Sequence, residues 1–121
     1  MSLHAKKSKA AGFLPEISQR ALDIVMITPE MAPLAKVGGL GDVVSGLSRT
    51  LIEKGHNVDI FMPMHQCMKY KLIKNLKAVY NELWVQDNHR WYPEQVFHGH
   101  VDGLSCYFFT CGDRFQRDQI Y

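Results

Sequence analysis

Lys36, Gly38, Gly39, Gly41 and Asp42 fall in one short stretch, Lys-Val-Gly-Gly-Leu-Gly-Asp, and their types suit the binding of a phosphate. Glycine lets a backbone approach a ligand closely and turn with φ above zero. The start of a helix leaves four N–H groups without an acceptor inside the helix, and these converge on an anion placed at its end. Lys36 adds a mobile positive charge. One charge-assisted hydrogen bond to phosphate contributes roughly 1.5–3 kcal/mol, and the helix end adds about 0.3–2 kcal/mol. Together they suffice to orient a diphosphate, though not to hold a nucleotide tightly. Asp42 suits a helix N-cap or first turn. Glycines in this setting also serve a plainer purpose, close packing of a helix on a strand.

Two familiar phosphate loops are excluded by spacing. Gly-x-x-x-x-Gly-Lys-Ser/Thr is absent, because the lysine precedes the glycines. The dinucleotide pattern Gly-x-Gly-x-x-Gly would begin at Gly39 and Gly41, but Val44 takes its third glycine position. Asp59 falls inside a predicted strand rather than at its end, where a ribose contact is expected.

The elements that must position this loop are legible on either side of it. Leu22–Thr28 is a short apolar, β-branched run, the pattern of a strand buried on both faces. Asp42 to Lys54 reads as a helix whose apolar stripe is Val43, Val44, Leu47, Leu51 and Ile52, with Gly55 as its stop. Asn57–Pro63 reads as a second strand, and a strand-helix-strand unit of this length makes the two strands parallel. The second half is rich in aromatic and β-branched residues, punctuated by Asp87-Asn88 and Asp102-Gly103, which favour turns. The expected fold is α/β: a Rossmann-like parallel βαβ start with an attached β-hairpin. Only one helix and a short segment near Met64–Leu76 would cover such a sheet, so 21–121 is expected to be part of a larger domain behind a basic tail at 1–20.

The chain of 121 residues is 46% hydrophobic, enough for one core that buries roughly two thirds of the unfolded surface. Its net charge of +2 is uneven. Residues 1–20 carry Lys6, Lys7, Lys9 and Arg20 against Glu16, while the remainder is nearly neutral, which argues against a nucleic-acid partner. No run approaches the ~18 apolar residues of a membrane span, so a soluble protein without a membrane partner is expected. The opening lacks the apolar core of a secretory signal; it is basic and poor in acids, as the end of an organellar transit peptide is. Cys67, Cys106 and Cys111 have no metal-type or disulfide-type spacing. His98 and His100 would share one strand face, but two ligands do not make a site. Neither a metal nor a cofactor is expected.

The stretch from Glu30 to Pro63 resembles the opening of bacterial glycogen synthases and plant starch synthases. The residues that carry the likeness are Glu30, Pro33, Lys36, Gly38, Gly39, Leu40, Gly41, Asp42, Gly55, His56 and Val58. The segments "HGHVDGLSCYFF" and "FQRDQIY" resemble the family's hairpin and the segment beyond it, and "HQCMKY" is closer to the plant type. The resemblance implies an incomplete N-terminal half of a GT-B fold. It also implies a retaining transferase that moves glucose from ADP-glucose to an α-1,4-glucan acceptor. In that chemistry the leaving phosphate assists attack on the same face of the sugar. By the same resemblance, Lys36 is associated with ADP-glucose, and Gly38 and Gly39 approach the sugar-nucleotide or its phosphates. Glu30 and Asp42 would line the same cleft near the glucosyl or acceptor side, although a helix cap for Asp42 and a loop carboxylate for Glu30 remain open. The second domain of the family supplies most nucleotide contacts, so this chain alone is expected to be inactive. The location implied is a plastid for a plant or algal source and cytoplasm for a bacterial one. An alternative is a truncated, non-catalytic interaction or regulatory piece that docks on a synthase or on glucan. Sucrose and trehalose-phosphate transferases share the fold but do not usually show Lys-x-Gly-Gly-Leu in this setting.

Overall fold

The computed structural model describes residues 20–121, so the expectation of a basic tail falls outside the described residues except at Arg20. Five strands form one sheet: β1 (Asp23–Ile27), β2 (Asn57–Pro63), β3 (Lys74–Asp87), β4 (Arg90–Val101) and β5 (Leu104–Phe109). A helix, α1 (Gly39–Glu53), connects β1 to β2. The strand order is β1-β2-β5-β4-β3. β1, β2 and β5 run parallel to one another, whereas β4 pairs antiparallel with both β5 and β3. This is the parallel βαβ start with an attached hairpin that the sequence predicts.

Alternation decides which faces are buried. In β2 the buried positions are Val58, Ile60 and Met62, and in β5 they are Leu104, Cys106 and Phe108. Most of them share one core with Val44 of α1, with Met31 and Leu34 of the loop after β1, and with Ile120 near the end of the chain. Fully burying a side chain such as Ile60 or Met62 is worth about 1.5–3 kcal/mol. This core therefore ties the helix, the loop and the last residues to the same two strands.

Three local expectations are corrected. β1 is not buried on both faces: it lies at one edge of the sheet and leaves Val25 and Ile27 exposed. The helix starts at Gly39 rather than Asp42, and it does not bury the whole predicted stripe. Gly41, Val44, Ser45 and Ser48 are buried, while Val43, Leu47 and Ile52 are exposed. Small residues on the inner side let the helix axis come close. Their hydroxyls are satisfied there: Ser45 Oγ donates to the carbonyls of Ala32 (2.9 Å) and Gly41 (2.7 Å), and Ser48 Oγ to Met26 Sδ (3.2 Å). Finally, the β3–β4 turn is centred on Asn88 and His89, with φ of 47° and 66°, one residue beyond the predicted pair. Asp102 and Gly103 make the β4–β5 turn as expected, at 48° and 80°. Both turns have positive φ at two central residues, which matches the twist of the paired strands.

β4 pairs with β5 only over Val96–Val101, while β3 accompanies it to Arg90. The distal part of the hairpin is thus a two-stranded arm extending past β5. Proline at position 93 is tolerated in that arm because β4 has a single neighbour there.

Candidate functional site

The loop between β1 and α1 is held by a dense set of local bonds. Thr28 Oγ1 donates to the Glu30 carbonyl (2.7 Å) and accepts from the Glu30 N–H (3.2 Å). Met31 and Ala35 exchange two backbone bonds of 2.8 and 2.9 Å around a cis peptide at Ala32-Pro33. The Ala32 N–H donates to the Gly41 carbonyl (3.0 Å), which fixes the loop to the first turn of α1. The base of the loop is pinned by His65, whose Nε2 lies 2.8 Å from the Pro29 carbonyl.

Glu30 is 3% exposed, and its carboxylate organises the loop from inside. Oε2 accepts from the N–H groups of Val37 (2.8 Å) and Gly38 (3.2 Å), and Oε1 accepts from the Tyr121 hydroxyl (2.8 Å). These donors, the Val37 amide foremost, then the Tyr121 hydroxyl and the Gly38 amide, hold its pKa below the ordinary 4.5. The carboxylate faces backbone and Tyr121. Since Glu30 occupies the Val37 and Gly38 amides, the donors left for a ligand are those of the first helical turn, Gly39, Leu40 and Gly41.

The three glycines separate into two roles. A Cβ on Gly41 would meet Ala32 N at 3.2 Å and the Lys36 side chain at 3.4 Å, so this glycine permits close helix-loop packing. A Cβ on Gly38 or Gly39 would meet nothing within 4 Å. Nor do their dihedrals demand glycine: Gly38 has φ of −138°, and the positive-φ glycines among the described residues are Gly55, Gly103 and Gly112. The expected left-handed turn in the glycine run is therefore absent, and the run enters the helix directly. Gly38 and Gly39 leave open backbone, required neither by fold nor by packing.

Lys36 Nζ forms a 2.5 Å ion pair with Asp42 Oδ2 across this open backbone. The side chains are 45% and 57% exposed, and such a pair is worth about 0–1 kcal/mol. A phosphate offering two or more charge-assisted bonds can displace Asp42 from Lys36. Asp42 caps no helix end with its side chain, because the N-cap is Gly38 and Asp42 sits in the first turn.

Lys36, Val37 and Asp42 form one wall of a cleft of about 800 Å³. Cys67 and Lys69, from the turn after β2, and Asp118 to Tyr121 form the others. Of the residues predicted from sequence, Lys36 and Asp42 line this cleft, Gly38 and Gly39 lie beside it on the same loop, and Glu30 sits behind it. Lys69, Cys67, Tyr121 and His65 are not among the residues the sequence points to for this site. A histidine directly after a strand-ending Pro-Met is the one signal available for His65; nothing in pattern or spacing marks Tyr121. His98 and His100 do share a face, with ring centroids 5.0 Å apart, and His98 Nε2 lies 2.9 Å from Ser105 Oγ. No third metal-binding side chain joins them among the described residues. Among the same residues no helix is long and apolar enough to cross a membrane.

Residues 23–121 match the family model described as the starch synthase catalytic domain. The chain is 48% identical over 99 residues to glycogen synthase 1 of Nitrosococcus oceani, covering 81% of this chain and 20% of that protein. It is 46% identical over 101 residues to the chloroplastic/amyloplastic starch synthase 3 of Arabidopsis thaliana, covering 83% of this chain and 9% of that one. The fold superposes, with a TM-score of 0.79 and 39% identity, on the catalytic domain of Arabidopsis thaliana starch synthase IV bound to ADP and acarbose. That match covers 84% of this chain and 21% of the other, so the chain spans about a fifth or less of these relatives. Over that span both sequence and backbone agree: the chain belongs to the starch synthase catalytic domain family of glycosyltransferases.

Proposed function

We propose that this chain supplies the donor-phosphate loop of an ADP-glucose:α-1,4-glucan glucosyltransferase that works by retaining transfer. Lys36 and the first-turn amides of α1 receive the phosphates of ADP-glucose, and Gly38 and Gly39 give the ligand room against the backbone. Asp42 holds Lys36 in place until the phosphate arrives. Glu30 acts from behind by shaping the loop. The observation that carries this reading is the open space at Gly38 and Gly39, beside a lysine held only by an exposed ion pair. The glucosyl acceptor is an α-1,4-glucan, and the groups that grip the nucleotide base and complete catalysis belong to a second domain. Alone, this chain is inactive in glucosyl transfer.

The test is ADP binding followed by ligand-observed NMR on this chain and on Lys36→Ala. Weak binding to the chain that falls at least about tenfold in the variant, one decade per ~1.4 kcal/mol, supports the loop. Equal binding by both removes Lys36 from the site, and incorporation of glucose from ADP-glucose by this chain refutes its inactivity.

A second reading, a non-catalytic piece that docks on a synthase or on glucan, is favoured by one observation. Leu40, Val43 and Leu47 on α1 and Val25 and Ile27 on β1 are all exposed apolar residues. A chain that stays monomeric in sedimentation and is not retained by glucan counts against it.

A further inference from the structure

The chain has two tryptophans, and both lie on the same face of the same projecting arm. Trp84 pairs across the hairpin with Pro93, and Trp91 with Gln86. Positions 84 and 86 share a face, as do 91 and 93, so the two indoles are diagonal neighbours on it. They are 52% and 59% exposed, although tryptophan ordinarily buries most of its surface. The arm extends past β5, at the opposite edge of the sheet from β1 and the phosphate cleft.

We propose that Trp84 and Trp91 form a stacking platform for an α-1,4-glucan chain, a holding site separate from the cleft. This rests on the reading of the acceptor as an α-glucan. The chemistry that selects a sugar is of two kinds. Pyranose rings present flat C–H faces that pack on flat aromatic faces, and two indoles diagonally placed offer such faces in succession. Sugars also carry hydroxyls around the rim, which need hydrogen-bond donors and acceptors. Both kinds of group are present, since the platform continues past Pro93 into a shallow groove of about 510 Å³ lined by Asn81, Glu82, Gln95 and Thr110, with the carboxylate of Glu94 beneath it already engaged by Thr110 and Gly112. Gln86 flanks Trp91 on the other side. Two aromatic rings and the amides of Gln86 and Gln95 share one face, with the Glu82 carboxylate in the adjoining groove.

The two rings also contribute cross-strand packing to a two-stranded arm, which is marginal by itself. The arm has independent ties: Arg114 pairs with Asp87 at its tip, and buried Glu94 accepts from Thr110 Oγ1 (2.6 Å) and the Gly112 N–H (3.2 Å). The informative substitution is therefore Trp84→Leu with Trp91→Leu, which keeps apolar bulk on the strands and removes the flat rings.

Because both tryptophans are on the platform, emission from this chain reports the site directly. Titration with maltoheptaose is expected to give a saturable change in emission, and titration with cellohexaose a much weaker one. The doubly substituted chain, with an unchanged far-ultraviolet spectrum, is expected to lose retardation in amylopectin gels by about tenfold or more in apparent affinity. ADP binding is expected to be unaffected in that variant. This separates the platform from the phosphate loop: loss of ADP binding in Lys36→Ala leaves glucan retardation in place. No emission change with maltoheptaose, an equal response to cellohexaose, or equal retardation of the variant would each overturn the proposal. A concentration-dependent dimer that the double substitution dissolves would overturn it in favour of a second copy of the chain on this face.

Discussion

The Tyr121 hydroxyl donates to Glu30 Oε1 at 2.8 Å, joining residues 91 positions apart in the chain. The last described residue thereby completes the coordination of the carboxylate that shapes the glycine loop. Ile120, beside it, is buried in the common core, so the position of the hydroxyl is set by packing.

This contact gives the fold a pH dependence of definite sign. The folded-state pKa of Glu30 lies below the ordinary 4.5, so its carboxylate stabilises the fold fully above that value. That contribution is lost as pH falls from about 4.5 toward the folded pKa. Urea midpoints measured across the acid range should decline below that point in the parent chain and decline less in Glu30→Gln. Parallel curves for the two chains would show that Glu30 is not the group responsible. Tyr121→Phe removes one donor and raises the folded pKa toward 4.5, so the decline should be smaller and end at a higher pH.

The glycines offer a sharper contrast, because the same substitution should act differently at neighbouring positions. Gly39→Ala meets open space and lies in the first turn of α1, where alanine is up to ~1 kcal/mol better than glycine. Its stability should be unchanged or slightly raised while ADP binding falls. Gly38→Ala, at the N-cap, where glycine is much preferred to alanine, should cost about 0.5–1.5 kcal/mol with the same loss of binding. Gly41→Ala drives a methyl against Ala32 N and should destabilise by about 1–3 kcal/mol. Thermal melts and ADP titrations on the three variants decide it. Loss of stability at Gly39 comparable to that at Gly41 would return the glycines to a packing role.

How much of this is legible in the sequence varies with the physics involved. The β2 strand can be read to the residue, since Asn57–Pro63 is bounded by a helix-stopping glycine on one side and proline on the other. The Asp102-Gly103 turn is equally clear, because few pairs accept two positive φ values. The start of α1 is not. Glycines 39 and 41 have poor helix propensity, and only the bond from Ala32 N–H to Gly41 O and the tight approach at Gly41 explain why the helix begins there. The inner face of α1 is hidden for a related reason: hydrophobic periodicity points to Val43 and Leu47, whereas close approach to the loop at Ala32 favours Gly41 and Ser45 and the contact with Met26 of β1 favours Ser48. Within the site, Lys36 and the open glycines stand out by residue type and spacing. The role of Tyr121 depends on a long-range contact that no local pattern encodes.

The cysteines should report the cleft. Cys106 is fully buried and its thiol is pushed up to about 12 by loss of solvent, so it stays protonated and unreactive in the native fold. Cys67 is exposed and lines the cleft beside Lys69. Alkylation of the native chain should therefore label Cys67 first and spare Cys106 until urea is added. Saturating ADP should slow labelling of Cys67 while leaving the half-buried Cys111 unchanged. Equal slowing at both cysteines would indicate a global change, and no slowing at Cys67 would place the nucleotide outside this cleft.

The outer face of α1 separates a fold requirement from a docking one. Leu40, Val43 and Leu47 recur at helical spacing and are exposed, so they contribute little to the core of this chain. Val43→Glu and Leu47→Glu should each shift stability by less than about 0.5 kcal/mol, the usual range for surface positions. If this face mediates self-association, sedimentation at rising concentration should show a dimer in the parent chain that either substitution abolishes. A parent chain that remains monomeric, with both variants equally stable, would leave the face without a role in self-association. A loss of several kcal/mol in Val43→Glu would instead mean that the residue is buried in solution. The exposed face would then have to be closed by a rearrangement of α1 against β1, where Val25 and Ile27 offer the nearest uncovered apolar surface on the sheet.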